Sequence, residues 1–250
     1  GVETQREVVK EEKRQRIDNQ PYMSFQKKMF ENTFKNHHYE WTPIGSMDDL
    51  NAAQLSEFMD FYKKYYIPNN ATLSIAGDID VEATKKLIKK YFSGVPKGTD
   101  VKHPVAELPA ATAEHREDGQ TTDDAYALSV LTTLLSGGES SRFQKSIVDE
   151  QQLAMQVVAF PYALEDAGIF ITLALAQGEH TPAELEKAMD AEIEKVKTEL
   201  VTEKELQKVL NILENQFGSS NSSMAGIAES LANYHVYYGD ANLVNTELER

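Results

Sequence analysis

The chain has 250 residues, a formal net charge of -15, 41% hydrophobic residues and no cysteine. That length suits one large domain or two smaller ones, and the apolar content suits a packed core rather than a disordered chain. Strong acidity disfavours nucleic-acid binding, which needs clustered Lys and Arg, and the lack of Cys removes disulfides and thiolate metal sites. No apolar run is long enough for a membrane-spanning helix, and no signal-peptide pattern is present. The chain starts at Gly1 within a helical pattern, so the natural N-terminus and any targeting segment are expected to be missing.

Val2 to about Phe34 reads as helix, rich in Glu, Lys, Arg and Gln, with Pro21 breaking or kinking it. "NHHYEWTPIGSMDDL" reads as a loop, and a helix is expected from about Ala52 to Tyr66 with Leu55, Phe58, Met59 and Tyr62 on one face. "ATLSIAGD" (Ala71 to Asp78) alternates as a strand does. Asp80 then caps "VEATKKLIKKYF", which Gly94 and Pro96 end. Residues from about Gly98 to Gln120, rich in Pro, Ala and charge, read as a linker. Beyond it come a helix from about Asp123 to Leu135 stopped by Gly137 and Gly138, the helix "SRFQKSIVDEQQ" capped by Ser140 or Ser141, and the strands "LAMQVVAF" and "AGIFITLALAQ". Thr181 with Pro182 and Glu184, and Thr202 with Glu205, open two further helices through capping boxes. A last helix runs near Met224 to Tyr238, after a polar connection at Phe217 to Gly226. The pattern is α+β, with long helices between strands, in two roughly similar halves.

In the opening "TQREVVKEEKRQR", helical spacing puts Gln5, Val8 or Val9, and Glu12 on one face. Glu12 can then point inward while Glu11, Lys13 and Arg14 face water. The same pattern also suits a solvated helix laced with ion pairs. This helix, "YEWTPIGSMDDLNAAQLSEFMDFYKKYYIPNNATLSIAGDID" and "LLSGGESSRFQKSIVDEQQLA" resemble the pitrilysin/insulinase family of zinc peptidases, most specifically at Phe61 to Asp80.

The resemblance implies two similar domains, each a mainly antiparallel sheet packed with helices. Residues 1–97 would be the C-terminal part of a zinc-ligand domain, incomplete here. Residues 98–120 would be the linker, and 121–250 a second, non-catalytic and truncated domain. In that family a His-x-x-Glu-His helix gives two zinc ligands and a general base, and a glutamate in a pattern like Arg-x-Val-Val-x-x-Glu gives the third. Arg6, Val8, Val9 and Glu12 match that pattern, which makes Glu12 the expected metal ligand. Zinc held by two His and one carboxylate keeps a fourth position open. Members often carry a second glutamate just before the arginine. That position is Gln5 here, able to hydrogen-bond in support of the site but not to supply charge.

The histidines are His37, His38, His103, His115, His180 and His235, none in a His-x-x-Glu-His or His-Glu-x-x-His motif. Adjacent His37 and His38 read as loop residues rather than as a chelating pair. Family members also orient substrate with an Arg and a Tyr in a segment like Leu-Arg-x-Lys-x-x-Leu-x-Tyr. "IVDEQQLAM" has Val148 and Met155 at those positions, and neither can donate a hydrogen bond. A second half or partner subunit is expected to supply the pair.

Relatives carry a strand before the "DDAYALSVL" helix. Near Gly119 that strand is either lost or omitted, and omission is favoured because loss would leave a sheet edge exposed. "SGGESSR" lacks the Gly-Lys-Ser/Thr ending of a phosphate loop and follows a helix, so it reads as a helix break, with Arg142 bonding helix-end carbonyls. Trp41 reads as a packing residue in a loop.

The expected whole is a Zn2+-dependent endopeptidase acting on peptides or unfolded polypeptides, periplasmic or exported from a bacterium, with this chain inactive alone. The alternative is a non-catalytic partner half or core subunit of the same family.

Overall fold

Side-chain caps set most of the helix boundaries. Ser46 accepts the Asp49 N–H at the start of α3 (Met47–Ala52), and Asp80 accepts that of Ala83 at α5 (Val81–Phe92). Thr181 and Thr202 form the expected capping boxes with Glu184 and Glu205 at α7 (Pro182–Thr198) and α8 (Glu203–Ser220). Ser223 caps α9 (Met224–Tyr238), and Gly239, at φ 76°, ends it. The computed structural model describes residues 1–102 and 123–249. They group into two compact units. One is Gly1–Thr72 with the described part of Asp80–Ala113; the other is Leu73–Ile79 with the described part of Glu114–Arg250. Most of the expected linker, and the position of the strand expected near Gly119, lie outside the described residues.

In the first unit α1 (Val2–Lys13) runs into a π-helical turn, Arg14–Asp18, in which the Asn19 N–H bonds Arg14 O at 2.9 Å. The chain breaks around Pro21, as expected, and resumes in α2 (Ser24–Thr33). Phe30 and Phe34 are buried. The "SMDDL" stretch, expected as the end of a loop, opens a helix because Ser46 caps it, so α3 precedes the expected helix, which is α4 (Leu55–Tyr65). The apolar stripe of α4 forms as its spacing dictates, yet Leu55, Phe58, Met59 and Tyr62 are all exposed, as are Val81, Leu87, Tyr91 and Phe92 of α5. Residues 71–76, of which Leu73 onward belong to the second unit, form no strand and pair with none among the described residues, which corrects the strand expected at Ala71 to Asp78. Alternation reports which side chains share a face, whereas a strand also needs a neighbouring backbone to bond.

The second unit holds the sheet, an antiparallel pair of β1 (Ala154–Ala163) and β2 (Gly168–Ala176) with Val158 opposite Leu173. The expected sheet of the first half has no counterpart among the described residues. A two-stranded hairpin is marginal in water unless its apolar face is covered. Here Val157 and Ala159 of β1 are buried with Leu135 of α6 (Asp123–Ser136), Phe143 and Ile147 of the following helical turn, and Leu185 and Ala188 of α7. α8 continues through Ser220, so part of the expected polar connection is helix.

Two contacts lock this unit. Ser136 Oγ accepts the Ala159 N–H at 3.0 Å and donates to Ala159 O at 2.9 Å, so the last residue of α6 satisfies both backbone groups on the outer edge of β1. Pro161, two residues on and facing the same edge, has no N–H to offer. Gly137 must follow Ser136 because a Cβ there would lie 2.4 Å from Thr133 O. Arg142 does not bond helix-end carbonyls, as its sequence position suggested. Its Nε and Nη2 donate to the two carboxylate oxygens of Glu205, at 3.1 and 3.3 Å. The fork finds a fixed, ionised acceptor because the α8 capping box already holds that carboxylate.

Arg142, with help from Thr202, pulls the Glu205 carboxyl down to about 2. A carboxyl depressed on folding stabilises the fold above its unfolded value, and that contribution fades as pH falls from about 4.5 to about 2. With the pair partly solvated, the contribution is about 1–2 kcal/mol. Arg142→Met is expected to flatten urea-measured stability against pH across that window. Ser136→Ala is expected to cost about 1–2 kcal/mol at neutral pH by the same measurement, since it leaves two strand-edge groups without their partner.

Candidate metal centre

Along α1 the residues turned toward the rest of the first unit are Arg6, Val9, Lys10 and Lys13, with Ile17 beyond. Lys13, expected to face water, is the buried residue of this helix at 9% exposure. Its methylene stem covers apolar surface while Nζ reaches Asp18 Oδ1 at 2.9 Å. Glu12 sits at the border of that face. Its side chain is 42% exposed and its carboxylate pairs with Arg16, one turn on, at 3.1 Å. Gln5 and Val8 are exposed, so the stripe Gln5–Val8–Glu12 expected from helical spacing exists and looks outward, and Glu12 is half-exposed rather than turned in. A shallow surface groove follows it, lined by Thr4, Glu7, Val8, Glu11, Glu12, Gln15 and Arg16. Hydrogen bonds from Gln15 and Arg14 hold the neighbouring Glu11 carboxyl below its usual range.

Arg6, in sequence one member of the Arg-x-Val-Val-x-x-Glu pattern, ties α1 to the end of α3. Its guanidinium, 12% exposed, donates from Nη1 to Leu50 O and from Nη2 to Ala53 O at 2.7 Å, while Nε bonds Glu3 at 3.0 Å. These carbonyls end α3, where backbone acceptors lack helical partners. No sequence signal marks this contact, because the two ends are 44 and more residues apart.

The donor chemistry of Glu12 fits one position of a zinc site: an oxygen ligand on a rigid helix, engaged by a single side chain that a metal could displace. It does not make a whole site, which takes at least three protein ligands. Among the described residues, no set of three ligating side chains within mutual reach includes Glu12. His37 is buried in an aromatic cluster, its ring 4.5 Å from Tyr39 and 4.0 Å from His38. His180 lies 3.8 Å from Glu184 at the start of α7. Val148 packs against the second unit's core, and Met155 stands out at 65% exposure on a β-bulge between Ala154 and Gln156. Neither can donate a hydrogen bond to a substrate. None of the helices among the described residues is long and apolar enough to cross a membrane.

Residues 52–213 match the family described as the Peptidase M16 inactive domain, so α1 with Glu12 lies outside the matched span. The chain is 32% identical to the zinc protease PqqE of Helicobacter pylori, a match covering 93% of this chain and 57% of that protein. A crystal structure of a protease from Helicobacter pylori superposes with a TM-score of 0.89 at 27% identity, over 99% of this chain and 65% of that one. The periplasmic protease PqqL of Escherichia coli shares the fold at TM-score 0.69 and 19% identity, over 95% of this chain and 29% of that one. The chain thus spans less than two thirds of each of these relatives. A match over most of the chain, with relatives named zinc proteases, makes it a member of the M16 family of metallopeptidases, the pitrilysin/insulinase group.

Proposed function

We propose that this chain works as part of a zinc endopeptidase that cleaves peptides or unfolded polypeptides, in which Glu12 gives the metal its carboxylate ligand. The observation that carries the reading is the state of Glu12. It is half-exposed, fixed on a helix and, among the described residues, held only by Arg16, in the spacing Arg6-x-Val8-Val9-x-x-Glu12. Exchanging the arginine for a metal ion costs this carboxylate one solvated ion pair, which is a weak interaction. Bound zinc would polarise the scissile carbonyl. The chain's own part is to hold the carboxylate oxygen, with Gln5 on the same stripe as a neutral hydrogen-bonding neighbour.

The two imidazoles, the general base and the substrate-orienting Arg and Tyr belong, in this reading, to polypeptide beyond this chain, in the same protein or a partner subunit. We assign residues 1–97 to the zinc-ligand domain, 98–120 to the linker and 121–250 to the second, non-catalytic domain. We place the protein in the periplasm or outside the cell, on the precedent of the periplasmic PqqL.

A second reading, a non-catalytic half or core subunit, draws support from Gln5 in place of an acid and from the family description as an inactive domain. Zinc content of the full-length protein separates the two. Under the first reading the wild type retains close to one zinc after dialysis and Glu12→Ala retains a small fraction of it, by atomic emission. Zinc that stays with Glu12→Ala removes Glu12 from the ligand set, and a wild type that holds none favours the non-catalytic half.

A further inference from the structure

Arg6 is unlike the other charged residues at the start of the chain. Lys10 pairs with Glu7, Lys13 with Asp18, Arg14 with Glu11 and Arg16 with Glu12, all within the same helical segment. Among the described residues, Arg6 is the one side chain of 1–20 whose hydrogen bonds reach another element. It takes the carbonyls of Leu50, of Asn51 at 3.4 Å and of Ala53 at 2.7 Å, where α3 ends. A guanidinium can engage several acceptors in a fixed plane, which an ammonium cannot. Glu3 receives Nε and Nη2 at 3.0 and 3.1 Å and sets the plane of the group. The contact therefore fixes the rotation of α1 about its own axis as well as its distance from α3.

Glu12 lies six residues beyond Arg6, about 120° round the helix at 100° per residue. It makes no bond of its own to α3. A carboxylate about 6 Å from the helix axis moves roughly 1 Å for each 10° of roll. Metal–ligand distances tolerate about 0.2 Å. We propose that Arg6 is a positioning residue: by capping the end of α3 it sets the roll of α1 and so the direction in which Glu12 presents its oxygen to a metal. The proposal rests on the reading of Glu12 as a ligand.

The test measures zinc dissociation constants by chelator competition in the full-length protein, well below the melting temperature of every variant. Arg6→Lys keeps the charge and loses the fork, and is expected to weaken zinc binding about tenfold, the low end for residues that orient ligands from outside the coordination sphere. Arg6→Met is expected to weaken it at least as much. Glu7→Gln breaks only the Lys10 ion pair within α1, leaves Arg6 with Glu3 and the α3 carbonyls, and is expected to bind zinc as the wild type does. If Arg6→Lys lowers the melting temperature while its zinc affinity is unchanged, and Glu12→Ala still loses zinc, Arg6 is structural and the inference is overturned with the Glu12 reading intact. If Glu12→Ala also keeps its zinc, both fall.

Discussion

The second unit depends on the burial of one face of β1. Two antiparallel strands cannot hold themselves in water, and the inward residues of β1 and β2 find their cover in α6, the helical turn at Phe143 and Ile147, and α7. Everything that fixes these helices serves that contact. Ser136 joins the end of α6 to Ala159, Gly137 lets the chain turn away at once, and Arg142 ties the next turn to the capped start of α8. These polar contacts are few, and each occupies a place where a backbone or charged group would otherwise be buried without a partner.

The first unit is organised differently. Its buried residues are few, and the apolar sides of α4 and α5 are exposed. What holds α1 is largely ionic and local, apart from Arg6. A helix whose charged face packs inward through lysine and arginine stems depends on geometry more than on buried area. Such an element is suited to presenting a side chain at a set angle, the role given above to Arg6 and Glu12.

Much of this could be read from the residues. Thr181 and Thr202 announce their helices, Gly137 and Gly138 a break, and "LAMQVVAF" and "AGIFITLALAQ" two strands whose observed ends differ by a few residues. Ser46 is hard to read as a cap because "SMDDL" lies among loop-forming residues, yet its bond from the Asp49 N–H starts a helix there. The strand at Ala71 to Asp78 failed for a physical reason: alternation reports on side chains, and pairing needs a second backbone. Lys13 lies on the inner side of α1 although it is charged, because its ammonium reaches Asp18 from a buried stem. The role of Arg142 was half legible, as a structural residue, but its partner Glu205 lies 63 positions away. For the metal centre, the family resemblance marks Glu12 as the expected ligand, and the structure adds its half-exposure, its arginine and the distant tie at Arg6.

Ser136 and Pro161 also give the small sheet a direction. On the β1 side a hydroxyl stands where the next backbone would bond at Ala159, and the following outward position has no donor. The far margin of β2, through Phe170, Thr172 and Ala174, faces no such obstruction among the described residues. The sheet is thus a ladder closed on one rail. A further strand would join it beside β2, and two copies meeting along β1 would find no continuous register in which to stack.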